Sequence, residues 1–151
     1  MKFRIIALLV VFTIIFSACK KQTQQMDLGF VRAKVDGVLF EATTVGANVE
    51  NGIFGFSGFR ELMNGFTVSV FNFTGPGTYQ VNMLNSVVMY GEGTMTNLIN
   101  YAANPTLGPT EVVVTSHANN RVKGRFRFTG SGQNDITKTI TDGEFDVLIR
   151  R

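Results

Sequence analysis

From Gly29 onward the chain is a succession of short runs in which apolar and polar residues alternate. Residues 30–35 and 121–129 are typical, because nearly every second side chain is apolar, which is the period of a β-strand with one buried face. No long stretch has the 3.6-residue period of an amphipathic helix. Residues 94–101 are ambiguous, because their apolar positions would also suit one or two helical turns. The pattern therefore predicts a chain of strands.

Tight turns are predicted where an Asp or Asn precedes a glycine between two such runs. Both central residues of a type I′ hairpin turn need positive φ, and these dipeptides adopt it readily. Residues 75–77, Gly-Pro-Gly, end another strand, since proline cannot donate to a ladder. The predicted hairpin turns are Asp36-Gly37, Asn51-Gly52, Asn64-Gly65 and Asp142-Gly143.

The spacing of these signals predicts about nine or ten short strands in an antiparallel β-sandwich or jelly-roll-like domain, with a small closed β-barrel as the alternative. Phenylalanine supplies the expected core, since each buried ring removes roughly 150–250 Å² from water. The rings placed inside strand patterns are Phe54, Phe56, Phe66, Phe71, Phe73, Phe126, Phe128 and Phe145.

The first residues differ from all that follows. Lys2 and Arg4 precede an uncharged run, residues 5–16, which is too short to cross a ~30 Å hydrocarbon core as a helix. This order is typical of a secretory signal peptide. Residues 16–19, Phe-Ser-Ala-Cys, resemble the lipobox of bacterial lipoproteins, with Phe16 where Leu is more usual. The resemblance implies cleavage before Cys19 and lipidation of its thiol.

This interpretation divides the chain into a signal peptide (1–18), a lipidated cysteine with a polar tether (19–28) and a single all-β domain (29–151). The expected location is the bacterial cell envelope, on the outer membrane and facing the periplasm. Cys19 is the only cysteine, so no internal disulfide can form.

Cleavage also changes the charge. The whole chain carries a net charge of +3, from 14 basic and 11 acidic side chains. Loss of Lys2 and Arg4 leaves 12 basic against 11 acidic groups, a net charge of +1. A nearly neutral domain attracts a polyanion only weakly at long range, so nucleic acid is not an expected partner.

The remaining cations are concentrated in one run, Arg121, Lys123, Arg125 and Arg127, which alternate with apolar residues or glycine. Period two places all four on one face of a strand. This stripe has two interpretations. It is either an anion-binding surface, which polyanions such as lipopolysaccharide would occupy in a salt-sensitive way, or a solvated face whose cations pair with Glu144 and Asp146 of a neighbouring strand.

The sequence leaves two other activities open, a glycosidase and a carrier of an apolar ligand. Glu144 and Asp146 share a strand face at about 6.5–7 Å by strand rise, within the range of an inverting glycosidase. A barrel could instead carry an apolar ligand in a phenylalanine-lined cavity. His117 is the only histidine, so no two-histidine metal site exists. No metal or other cofactor is expected.

Four segments resemble a group of small lipoproteins of uncharacterised function that is common in Bacteroidota. They are AKVDGVLFEA (33–42), FTGPGTY (73–79), RVKGRFRF (121–128) and ITDGEFDV (140–147). The resemblance implies a single all-β domain and brings no catalytic residues. The expected function is thus a membrane-anchored, non-enzymatic binding or accessory module for an envelope protein or glycan. A glycan hydrolase and an apolar-ligand carrier are the alternatives.

Overall fold

The computed structural model describes residues 27–61, 63–82 and 86–150, so the predicted signal peptide and Cys19 lie outside these ranges. Within them the chain is all-β, which confirms the predicted fold class. One 3₁₀ turn, Gln133–Asp135, interrupts a series of eleven strands. In chain order these are β1 (Gly29–Val35), β2 (Val38–Glu41), β3 (Thr44–Glu50), β4 (Ile53–Phe59), β5 (Gly65–Val70), β6 (Gly77–Gln80), β7 (Ser86–Thr94), β8 (Asn97–Ala103), β9 (Glu111–Ala118), β10 (Arg121–Ser131) and β11 (Thr137–Leu148).

The strands form one antiparallel sheet that curls into a half-barrel. Its main path runs β2-β1-β11-β10-β8-β7-β5-β4-β3. Strand β10 has two partners on one edge, because its first part, to Arg127, pairs with β9, whereas Gly130 and Ser131 pair with β8. Strand β6 adds to the other edge of β9. The branch at β10 therefore gives the sheet two layers.

Phenylalanine rings from the two layers meet in the interior. Phe56 of β4 stacks on Phe145 of β11 with ring centroids 4.4 Å apart, and Phe66 of β5 lies 5.2 Å from Phe126 of β10. These strands do not pair in the sheet, so the rings join its two layers directly. The rings that a carrier would place around a cavity instead contact one another. Six of the predicted core rings are buried: Phe54, Phe56, Phe66, Phe126, Phe128 and Phe145.

The other two predicted core rings are in different positions. Strand β5 ends at Val70, so Phe71 and Phe73 lie beyond it and are half-buried. Asn72 between them has φ 52°, a left-handed conformation that breaks the extended strand. Phe73 still packs against the core, with its ring 5.0 Å from that of Phe54.

Two of the four predicted glycine turns are confirmed. Asp36-Gly37 joins β1 to β2 with φ of 49° and 82°, and Asn51-Gly52 joins β3 to β4 with φ of 50° and 73°. Positive φ at both central residues is the requirement of the type I′ turn. These turns set the register of both hairpins.

The other two predicted turns are wrong. Gly65 is already in β5, and the connection before it is longer, closed by a hydrogen bond from the Arg60 N–H to the Asn64 carbonyl. Asp142-Gly143 lies inside β11, where the pairing with β1 and β10 shifts register. Asp142 takes a φ of 51°, so the positive φ that suggested a turn accommodates a bulge instead.

The ambiguous stretch 94–101 belongs to a β-hairpin. Thr94 ends β7, Asn97 begins β8, and Tyr90 pairs with Tyr101 across the two strands. The helical alternative is wrong, because Tyr101 is buried and Ile99 packs against the core as part of the sheet. In the described ranges no helix has the length and apolar character needed to cross a membrane.

Candidate functional site

The four cations predicted to form a stripe do lie on one outward face of β10, alternating with buried residues. Most of them are paired. Arg121 donates to Asp146 with Nε–Oδ1 at 2.6 Å, and Lys123 Nζ lies 2.9 Å from the other oxygen of the same carboxylate. Arg127 pairs with Glu111 of β9 at 2.9 Å. The geometry therefore favours a cross-strand ion-pair network over an uncompensated anion-binding stripe.

Two carboxylates that the sequence interpretation did not assign to this face complete the network. Glu111 is one. Asp27, which precedes β1, is the other, with Oδ2 3.1 Å from Arg121 Nη2. Asp27 lies in the segment predicted to be tether, and the next carbonyl, that of Leu28, accepts a hydrogen bond from the Leu148 N–H. The end of the tether is thus held against β10 and β11.

Asp146 is the most enclosed carboxylate of this network, with 16% of its side chain exposed. Burial alone would raise its pKa. The hydrogen bonds from Arg121 and Lys123, together with their charges, outweigh that effect and hold the pKa of Asp146 below the usual carboxyl range. The carboxylate therefore stabilises the folded state wherever it is ionised.

Replacing Asp146 with asparagine is expected to lower the free energy of unfolding at pH 7 by about 2 kcal/mol, because two charge-assisted hydrogen bonds are weakened. The folded pKa is depressed, so this contribution is present above the ordinary carboxyl pKa of about 4. It is lost as pH falls through the lowered value. Urea unfolding of both proteins from pH 7 to acid pH measures the difference.

The matched control is Glu144→Gln on the same strand. Its side chain is 45% exposed and pairs with Arg32, so we expect a loss below about 1 kcal/mol. Equal unfolding free energies for wild type and Asp146→Asn at pH 7 would contradict the assignment. The assignment would also be contradicted if the difference in unfolding free energy between wild type and Asp146→Asn stayed the same from pH 7 to the lowest pH measured.

The paired-carboxylate arrangement expected of a hydrolase is not favoured by these contacts. Glu144 accepts from Arg32 at 2.6 Å on an exposed face, and Asp146 is bound by two cations. The lowered pKa of Asp146 is the opposite of what a general acid needs. Arg125 lies opposite Glu144 but has no ion-pair partner among the described residues. It borders a shallow groove with Arg127 and Asp142.

A second site lies where the half-barrel fails to close. The two ends of the sheet path meet at residues 42–43, where Ala42 and Thr43 donate to the carbonyls of Val31 and Phe59. Over the rest of its length β2 pairs with β1 on one edge, and no strand of the described chain pairs with its other edge. A pocket of about 230 Å³ opens beside it, which we call the seam pocket. Its lining residues are Val35, Asp36, Val38, Leu39, Phe40, Arg60, Tyr90, Glu92 and Lys138.

A charged cluster forms one wall of the seam pocket. Lys138 at the start of β11 reaches Glu92 of β7 at 3.2 Å and Asp36 of the β1–β2 turn at 3.3 Å. Asp36 also accepts from the Thr139 N–H at 2.9 Å. Burial would lower the pKa of Lys138, but its hydrogen bonds to the two carboxylates outweigh this and raise it. Lys138 therefore remains a cation that ties three parts of the chain together.

Two tyrosines support the same carboxylate. The Tyr101 hydroxyl donates to Glu92 at 3.1 Å. Burial raises the pKa of Tyr90 to about 12, and the nearby Glu92 carboxylate adds to the effect. Burial and the bond to Glu92 likewise raise the pKa of Tyr101. Both phenols stay protonated at neutral pH, so the Tyr101 hydroxyl remains a donor to Glu92.

The rest of the lining of the seam pocket differs from this charged cluster, because it contains exposed apolar side chains and an arginine without an ion pair in the part of the chain that the structure describes. The Arg60 guanidinium lies over the Phe40 ring, 5.1 Å from its centroid, and no carboxylate of the described chain forms an ion pair with it. Val38 and Leu39 beside it are 69% and 57% exposed, which is high for apolar side chains. The pocket thus combines an unpaired cation with an exposed apolar surface, and this pair of features can bind an anion attached to an apolar group.

The seam pocket and the tether lie at opposite ends of β11. Lys138 is near the start of this strand, whereas Leu148, which contacts Leu28, is ten residues later. At ~3.3 Å per residue the two positions are separated by roughly 30 Å along the strand. The pocket therefore lies at the opposite end of β11 from Leu28.

Sequence reasoning did not find this site. Its members come from four distant parts of the chain, and the register that joins them is a tertiary property. The one local feature that could have pointed to the site is Glu92, a charged residue between two glycines within a strand. Its surroundings match neither a turn nor a phosphate-binding loop. In the ranges that the structure describes, no group of three or more His, Cys, Asp or Glu side chains is arranged to hold a metal ion.

Fold and site together define an all-β half-barrel domain with a pocket at its open seam. The chain belongs to a family described as a domain of unknown function (DUF6252), whose family model matches residues 29–147. This span covers the strands from β1 almost to the end of β11. Neither the curated proteins nor the solved structures contain a match to this chain.

Proposed function

We propose that this protein is a lipid-anchored bacterial envelope protein whose β domain is a binding module, with the seam pocket as its ligand-contacting site. Cys19 carries the anchor, and the domain itself is not an enzyme. The observation that carries the binding assignment is that Arg60, which has no ion pair among the described residues, lines the pocket together with the exposed apolar residues Val38 and Leu39. A concave surface that combines apolar contacts with a charged group is typical of a ligand site.

The anchor is supported by the sequence around Cys19. A charged start, a short apolar run and small residues precede the cysteine, as in a lipoprotein signal. Two or three acyl chains give a stable membrane attachment, because each buried methylene contributes about 0.8 kcal/mol. Lys20 and Lys21 follow Cys19, so the sequence lacks both the Asp typical of inner-membrane retention and the acidic cluster that resembles a Bacteroidota surface-export signal. This supports the outer membrane, facing the periplasm, as the location.

The arrangement of the domain fits this anchoring. Residues 20–26 separate Cys19 from Asp27, and a fully extended chain of that length spans at most ~25 Å. Asp27 is fixed to Arg121, so the tether enters at that end of the domain. The seam pocket lies at the other end and is directed toward partners in the surrounding compartment.

The alternatives have weaker support. A glycan hydrolase would use Glu144 and Asp146, but each is paired with cations. A carrier would need a phenylalanine-lined cavity, and the rings of Phe56, Phe66 and Phe145 instead pack against the ring of Phe126 within the core. A polyanion would meet an ion-paired face at β10. A protein or glycan partner at the seam pocket is the hypothesis that best fits the contacts.

Photo-crosslinking in the native envelope tests the binding assignment. A photoreactive amino acid at Leu39, on the wall of the pocket, is expected to give a discrete crosslinked species. The same amino acid at Thr67, an exposed position on the outer face of β5, is the matched control and is expected to give none. Identical species from both positions, or none from Leu39, would contradict a partner at the seam.

A further inference from the structure

We propose that the seam pocket binds the C-terminal end of an extended peptide chain, which adds as a strand to the free edge of β2. The peptide's terminal carboxylate is bound by Arg60, and its last side chain, an apolar one, packs against Val38, which lies on the same face of β2 as Phe40. This inference names the ligand class of the site and therefore rests on the proposed function.

The free edge of β2 supplies the backbone groups. Asp36-Gly37 is a two-residue turn, so Val35 and Val38 exchange hydrogen bonds, and the alternation of an antiparallel ladder makes Ala33 and Phe40 the next bonded pair. The N–H and C=O groups of Leu39 then point away from β1. No strand of the described chain pairs on that side. An added peptide strand would satisfy these groups, as in other β-strand additions.

Arg60 supplies the charge. A guanidinium presents a planar fork of donors that matches a carboxylate bidentately. Its guanidinium lies over the Phe40 ring, and both residues line the pocket. Lys138 is already paired with Glu92 and Asp36, which leaves Arg60 as the cation available to a ligand.

The size of the pocket points to a chain end. About 230 Å³ is below the ~300–1,000 Å³ of pockets that enclose a whole small molecule. One apolar side chain and a carboxylate fit into such a volume, while the rest of the ligand extends along β2. Free apolar carboxylates share the same end-group chemistry but have no backbone for the strand edge.

An array of synthetic hexapeptides tests the proposal, with each sequence present both as the free acid and as the C-terminal amide. Full-length protein in mild detergent is applied, and bound protein is measured for last residues of every type. We expect binding to free acids with an apolar last residue to exceed binding to their amides by about tenfold or more, the effect of one charge-assisted interaction.

Variants of Arg60 test whether this residue binds the terminal carboxylate of the peptide. Arg60→Gln is expected to remove the difference between acid and amide, and Arg60→Lys to restore part of it, because the charge returns without the fork. Arg125→Gln is the matched control, since Arg125 is a second exposed arginine with no ion pair among the described residues, and it should bind as wild type does. Octanoate represents the free apolar carboxylates and is expected to compete poorly.

Equal binding of acids and amides, or the same loss in Arg60→Gln and Arg125→Gln, would overturn the proposal. Binding to none of the peptides would also overturn it, and so would complete displacement of the bound protein by octanoate, which would favour a small apolar carboxylate as the ligand. The crosslinking test is independent of these outcomes. A partner crosslinked through Leu39 with no acid preference on the array would leave the binding module intact and reject the peptide terminus.

Discussion

Cys19→Ala is expected to abolish labelling of this protein by a clickable palmitate analogue in growing cells and to release it from the membrane fraction. In the proposed lipoprotein the thiol is the attachment point of the acyl chains, and their burial in the bilayer holds the near-neutral domain at the membrane. With each methylene contributing about 0.8 kcal/mol, loss of two or three chains removes essentially all of that attachment. In-gel fluorescence and fractionation measure the two effects.

The control for this experiment is Lys20→Ala, which changes the neighbouring residue and leaves the thiol in place. It should be labelled and retained as wild type is. A Cys19→Ala protein that still incorporates the analogue would show that the lipid, if any, is attached elsewhere. A labelled Cys19→Ala protein would also remove the basis for placing the seam pocket away from a membrane.

Phe66→Ala is expected to cost about 3–5 kcal/mol of unfolding free energy, the range for deleting a fully buried ring. Phe66 is 0% exposed and lies between the two layers, with its ring centroid 5.0 Å from Phe40 and 5.2 Å from Phe126. Most domains have only about 5–15 kcal/mol in total. Urea unfolding followed by circular dichroism measures the loss.

Phe30→Ala is the matched control, because Phe30 is 41% exposed on the outer face of β1 and should cost much less. Phe66→Leu keeps an apolar side chain and is expected to be intermediate, which preserves the test if the alanine variant fails to fold. Similar losses at positions 30 and 66 would mean that the rings between the layers are not the main source of stability.

The glycine turns show how far local sequence determines structure. Asp36-Gly37 and Asp142-Gly143 are the same dipeptide, and in both the aspartate takes positive φ, at 49° and 51°. The first becomes a turn because the flanking runs pair with each other. The second lies in β11, whose two halves both pair with β1 and β10, so the same conformation becomes a bulge. Pairing partners decided the outcome.

The charged residues show the same difference between what the local sequence predicts and what strand pairing decides. Alternation predicted that Arg121, Lys123, Arg125 and Arg127 share a face, and they do. It did not predict that Glu144 would pair with Arg32 of β1, or that Asp27 and Glu111 would supply further carboxylates. Those partners come from other strands and from the end of the tether. The apparent excess of cation in this segment is therefore compensated in the described part of the folded chain at every position except Arg125.

By itself, the sequence determined the all-β class, the outward face of β10, most of the buried phenylalanines and two hairpin turns. These properties depend on period-two alternation and on residues that tolerate positive φ, which are local. It also predicts a lipoprotein signal around Cys19. The tertiary structure decided the ion-pair partners, the bulge in β11 and the seam pocket. Each of these requires residues far apart in the chain to meet in one register, and only the closure of the sheet around its core brings Arg60 and Lys138 to the edge of β2.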